Sequence, residues 1–152
     1  MPQIEGVMLK TLSFISDERG RLMEILRRDD PIFEKFGQVY LTTAYPGVIK
    51  AWHYHRLQTD YFAVLAGMAR IVLYDNREDS PTHGRIDDFF TGEFNPLLIS
   101  IPPLVVHGFK AIGVKEVLLL NCPTEPYAHA SPDEYRLPLD TPLIPFQWKN
   151  GL

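Results

Sequence analysis

Apolar residues recur along most of this chain with a period of two, in short runs broken by Gly, Pro, Asp and Asn. Such alternation places successive side chains on opposite faces of an extended backbone. It predicts strands over 7–15, 21–26, 38–44, 48–55, 61–65, 69–74, 97–101, 106–112 and 116–121. Helical spacing occurs only in Pro31-Ile-Phe-Glu-Lys-Phe36, where Asp30 is a fitting N-cap and Gly37 a stop. Many short strands joined by tight turns predict an all-β protein, an antiparallel β-barrel or jelly roll, with one short helix. After residue 122 the alternation ends. Six of the thirteen prolines fall in this last fifth of the chain, and they predict an extended Pro-rich tail that wraps the surface without adding interior strands.

The densest chemistry lies in Gly47-Val-Ile-Lys-Ala-Trp-His53-Tyr-His55-Arg-Leu-Gln-Thr-Asp60. Residues i and i+2 of a strand share a face, so His53 and His55 point the same way. A turn over 56–59 then brings Asp60 onto the neighbouring strand. A later strand, opened by Pro102-Pro103, delivers His107 to the same interior. Three imidazoles and a carboxylate converging in a barrel mark a reactive pocket or a metal site, because burying them without a task is costly. His83 and His129 sit in loop-like contexts and read as surface residues. The spacing matches the first signature of the cupin barrels, with Asp60 where that signature usually has Glu.

Composition narrows the class further. A chain of 152 residues with 45% hydrophobic residues suffices for one domain, taken here as a single cupin unit over 1–152. Fifteen basic and nineteen acidic residues leave a net charge of −4 without long runs, which predicts no nucleic-acid partner and no membrane partner. The lone Cys122 argues against a disulfide framework. Met1-Pro-Gln-Ile-Glu-Gly6 lacks the basic flank and apolar core of a leader, so the expected location is the cytoplasm.

Several segments, in order, resemble the dTDP-4-dehydrorhamnose 3,5-epimerases, cupin-fold enzymes of nucleotide-sugar metabolism. They are Asp17-Glu-Arg-Gly-Arg-Leu-Met-Glu24, then 38–55, Asp75-Asn-Arg-Glu-Asp-Ser-Pro-Thr-His-Gly84, Ile101-Pro-Pro103 and His107-Gly-Phe109. Ser-Pro-Thr-x-Gly after an Asp-x-Arg strand end is the most specific of them. The resemblance implies an isomerase that inverts C3, C5 or both in a 4-keto-6-deoxy sugar nucleotide. It also implies a homodimer that needs no metal or organic cofactor.

Residue by residue, the resemblance makes His53 the base, Asp140 the aspartate that orients it, and Tyr127 the acid across the sugar ring. It places Arg19, Glu24, Gln38 and Lys50 at the nucleotide and its phosphates, and Tyr40, His55, Asp60 and His107 around the substrate. Lys50 stands where the family has an arginine, which keeps the charge and loses the bidentate fork. The family's lysine near the enolate oxygen corresponds here to Asp60, a carboxylate where a developing oxyanion calls for a cation. Asp60 then reads a sugar hydroxyl, or the chemistry differs.

Two other readings use the same residues. His53, His55, Asp60 and His107 form a three-nitrogen, one-oxygen set for a divalent transition metal, as in a metal-dependent cupin enzyme. A non-catalytic sugar-binding cupin would keep the aromatic lining and tolerate the Asp60 change. Taken singly, each histidine also reads as a hydrogen-bonded core residue, Tyr127 as structural and Asp140 as a turn residue before Thr141-Pro142.

Overall fold

The computed structural model describes residues 1–148, so the last four residues of the tail lie outside the description. Among the described residues twelve strands form: β1 Met8–Thr11, β2 Ile15–Asp17, β3 Gly20–Leu22, β4 Tyr40–Ala44, β5 Ile49–Tyr54, β6 Asp60–Ala66, β7 Met68–Asp75, β8 Ile86–Gly92, β9 Leu97–Ile101, β10 Val105–Ile112, β11 Val117–Asn121 and β12 Tyr135–Arg136. Two five-stranded antiparallel sheets, ordered β1-β9-β6-β11-β4 and β12-β5-β10-β7-β8, face each other, and β2-β3 is a separate hairpin. This is the predicted all-β jelly roll.

Alternation sorts the side chains between faces. Phe62 and Val64 of β6, Ile71 and Leu73 of β7, and Phe109 and Ala111 of β10 point between the sheets and form the main core with Ile99, Ile101 and Leu119. Their odd-even partners point outward, and two outer faces are roofed by chain. Trp52, Val72, Tyr74 and Val106 lie under Ile144 and Trp148 of the tail. Tyr61, Ala63 and Leu98 lie under Leu12 and Ile32. The tail therefore packs as a strap, and adds only the two-residue β12 to an edge.

The short helix expected over 31–36 does not form: turns occupy 31–32 and irregular chain follows. The reason is a tertiary competitor for the backbone. The buried Tyr61 hydroxyl donates to Ile32 O at 2.8 Å and accepts from Glu34 N–H at 3.0 Å, taking groups that a helix would pair. Strand β8, absent from the sequence reading, carries Asp87 and Asp88, which alone argue against a strand. Each has a partner. Asp87 accepts from Gln3 N–H and Ile4 N–H at 2.8 and 3.0 Å, and Asp88 pairs with Arg70 of β7.

Candidate active site

The site opens on the inner face of β5 and β10. His107 is paired in register with His53, and an irregularity follows between His107 and Phe109. Gly108 permits the close approach of the two strands: a Cβ there would come within 2.2 Å of Ala51 Cβ. Before β10, Leu104 takes a left-handed conformation at φ 66° and donates its N–H to His55 O at 2.7 Å. This contact ties the Pro102-Pro103 turn to the end of the His53-Tyr-His55 run.

The turn 56–59 is held from the tail. Asp133 accepts from Arg56 N–H at 2.8 Å through Oδ1 and from Leu57 and Gln58 N–H at 2.9 and 3.2 Å through Oδ2. Its backbone carbonyl accepts from His55 Nδ1. Gln58 in turn donates to Asp60 Oδ1 at 2.7 Å. Asp133, fixed by no sequence motif, thus organises the turn on which Asp60 depends.

Three imidazoles and the carboxylate do converge. The His53 and His107 ring centroids are 4.2 Å apart, with His55 5.6 Å from His107 and 5.9 Å from His53. Asp60 Oδ2 lies 3.1 Å from His55 Nε2 and 3.2 Å from His107 Nε2, outside hydrogen-bond geometry in both cases. Burial, followed by the charge of His107, holds the His53 pKa well below its ordinary value, so the ring is neutral near pH 7. Burial acts the same way on His55, but the adjacent Asp60 outweighs it and the net shift is upward. For Asp60 burial favours the protonated form, yet His107 and His55 outweigh it and keep the carboxylate ionised.

A cavity of about 1160 Å³ lies over this cluster. Of the residues singled out from the sequence, Gln38, Tyr40, Lys50, His53, His55 and Tyr127 line it. Asp60 and His107 are each 1% exposed and stand behind its wall. Lys50 Nζ donates to Thr42 Oγ1 at 3.0 Å, and Tyr40 accepts from Asn121 Nδ2 at 2.9 Å. Burial, with a contribution from Asp60, pushes the Tyr40 phenol up to about 12. His129 is exposed, as the sequence reading had it, and from the surface it packs edge-on against Tyr127 at 4.9 Å and lines the cavity, a role that reading did not assign. The same reading missed Arg136 and Glu134, and the only available signal was their nearness to Tyr127 in a proline-rich tail.

Three expected residues are placed elsewhere. Asp140 is exposed, lines no part of the cavity and makes no hydrogen bond to His53. Its neighbour Leu139 accepts from the Trp52 indole at 3.3 Å, and Trp52 faces the tail while His53 faces the cavity, so Asp140 is carried to the opposite side of β5. Burial and His107 lower the His53 pKa by more than the charge of Asp60 raises it. Arg19 and Glu24 lie on and after the β2-β3 hairpin, exposed and paired with Asp17 and Arg27 rather than with the cavity of their own chain.

Residues 15–135 match the polysaccharide biosynthesis C-terminal domain family. The chain is 43% identical to the spore coat polysaccharide biosynthesis protein SpsL of Bacillus subtilis (strain 168), over 95% of this chain and 96% of that one. It is also 43% identical to the probable low-salt glycan biosynthesis epimerase Agl13 of Haloferax volcanii, over 97% and 96%. The structure superposes on a dTDP sugar isomerase from Desulfovibrio desulfuricans G20 with a TM-score of 0.92 and 40% identity, covering 97% and 94% of the two chains. The protein is thus a cupin-fold isomerase of the sugar-nucleotide epimerase class. It belongs to the polysaccharide biosynthesis C-terminal domain family, as a divergent relative of the dTDP-4-dehydrorhamnose 3,5-epimerases.

Proposed function

We propose that the protein inverts C3, C5 or both of a 4-keto-6-deoxy sugar carried on a nucleoside diphosphate, for polysaccharide synthesis in the cytoplasm. The observation that carries this reading is a half-buried imidazole, His53, and a phenol, Tyr127, in the wall of one cavity that also bears Lys50 and Arg136. The C4 ketone acidifies the neighbouring C–H bonds. His53 takes the proton, the bond electrons pass into the C4 enolate, and the Tyr127 hydroxyl returns a proton to the other face; the His53 imidazolium then gives its proton to solvent, and solvent reprotonates the phenolate. Lys50, Arg136 and Gln38 suit the diphosphate and the nucleotide beyond it.

The protein is further proposed to act as a homodimer. Arg19 and Glu24, implied at the nucleotide by resemblance, are remote from their own cavity, and a hairpin that reaches a second chain would bring them to its substrate.

Incubation with a 4-keto sugar nucleotide in deuterated water tests the chemistry. The wild-type protein is expected to incorporate solvent deuterium at the inverted carbon, with none in His53→Ala. Tyr127→Phe is expected to keep exchange from the His53 face and lose net inversion. Undiminished incorporation by a folded His53→Ala protein would remove His53 from the reaction.

A further inference from the structure

Proton abstraction beside the ketone moves negative charge onto the C4 oxygen, and the groups assigned so far leave that oxygen without a partner. Asp60 is an ionised carboxylate behind the cavity wall, the wrong sign for an oxyanion. His55 turns Nδ1 to Asp133 O and Nε2 to Asp60, and Lys50 Nζ is held by Thr42. Tyr40 is placed differently. It pairs in register with Asn121 of β11, which pairs in turn with Phe62 of β6, so the three share one face of their sheet. That face is the inner one, since Phe62 belongs to the main core and its ring packs edge-on against His107 at 5.3 Å. His53 stands beside His107 on the inner face of the other sheet. Tyr40 and His53 therefore line one cavity from facing sheets, and the contact of Lys50 with Thr42 bridges the same two strands.

The Tyr40 hydroxyl also has a fixed sense. The fully buried Asn121 amide is oriented from within the sheet, because its Oδ1 accepts from Tyr61 N–H at 3.0 Å. Its Nδ2 therefore faces Tyr40 and donates to the phenol oxygen at 2.9 Å. The phenol accepts this bond and keeps its own proton, which no acceptor among the described residues takes. We propose that the Tyr40 hydroxyl, held by Asn121, donates a hydrogen bond to the C4 oxygen of the substrate while His53 removes the proton from the neighbouring carbon. This role rests on the epimerase reading above. As the C–H electrons pass into the enolate, charge gathers on the C4 oxygen and the bond from Tyr40 strengthens, so it favours the transition state over the bound ketone. No proton leaves Tyr40, and a phenol pushed up to about 12 by burial and by Asp60 suits a group that holds its proton. When Tyr127 protonates the carbon, the electrons return from the oxygen and the ketone re-forms.

The test is solvent deuterium exchange into a 4-keto sugar nucleotide, followed by NMR beside turnover, with binding of the nucleoside diphosphate alone as the control. Tyr40→Phe removes one oxygen from a partly exposed ring and leaves the packing in place. It is expected to slow both exchange and kcat about 100-fold, with the Kd for the nucleoside diphosphate changed by no more than about twofold. Asn121→Asp still accepts from Tyr61 N–H but takes the phenol proton for itself. It should slow exchange by about tenfold or more in the wild type and add nothing in the Tyr40→Phe background. Exchange and inversion at the wild-type rate in a folded Tyr40→Phe protein would overturn the role. So would lost inversion with exchange retained, which would make Tyr40 an acid at carbon, or a matching loss of diphosphate affinity, which would make it a binding contact. A wild-type protein that exchanges no proton of any 4-keto sugar nucleotide would instead sink the epimerase reading, and this role with it.

Discussion

Asp75 illustrates how much a single carboxylate can hold. It is fully buried at the end of β7 and accepts from Arg77 Nε at 2.8 Å, Ser80 Oγ at 2.6 Å and Thr82 Oγ1 at 2.6 Å. Burial alone would raise its pKa, but these bonds outweigh it and hold the carboxyl well below the usual range. A depressed folded pKa adds stability that is complete above the unfolded value of about 3.9 and is lost as the pH falls toward the folded one. Asp75→Asn should cost about 3 kcal/mol at pH 7, chiefly by leaving Arg77 without its partner. Its melting temperature should also fall less steeply than that of the wild type below pH 4. Equal acid slopes by calorimetry would show that Asp75 does not set the acid limit. The Asp-x-Arg and Ser-Pro-Thr pieces that marked family resemblance therefore also have a structural task, since both converge on this carboxylate.

Among the elements, the turn between β5 and β6 matters most for the site, and its control comes from the tail. Asp133 binds three backbone N–H groups of 56–58 and, through its carbonyl, His55. Asp133→Ala should destabilise the protein by about 1–3 kcal/mol, because those donors are left partly unpaired. It should also lower turnover more than the stability loss explains, since Gln58, Asp60 and His55 all move with the turn. A stable variant with full turnover would make Asp133 a bystander. Strand propensity could not reveal this link: the residues stand 75–78 positions apart. A separation of 27–29 positions likewise explains the missing helix at 31–36, where Tyr61 claims the backbone from a distant strand.

For the whole molecule, assembly turns on which apolar surface the chain leaves uncovered. The outer faces of β5-β10-β7 and of β6-β9 are roofed by the tail and by the segment before β4. Strand β4 is a sheet edge; Leu41 within it and Val39 just before it are each 52% exposed, and Ile15 and Leu22 of the hairpin are exposed at 66% and 58%. An unprotected apolar edge of this kind favours pairing with a second chain. Light scattering is expected to give the mass of two chains, with Leu41→Asp shifting it toward one. A wild-type mass of one chain across micromolar concentrations would refute the proposed dimer.

The local pattern of the sequence by itself determined the jelly roll, the common face of His53 and His55, the return of Asp60 and the delivery of His107. Each follows from strand periodicity or from a turn signal a few residues away, and short-range sterics act on such distances. Tertiary structure alone decided that Asp140 lies across β5 from His53, that Asp133 holds the 56–58 turn, and that β8 accommodates two aspartates. It also decided that Asp60 Oδ2 meets two histidine nitrogens without bonding to either. These outcomes depend on which partner a polar group finds after the sheets have packed. One-dimensional spacing does not carry that information, because a buried carboxylate is costly or favourable according to neighbours contributed by remote parts of the chain.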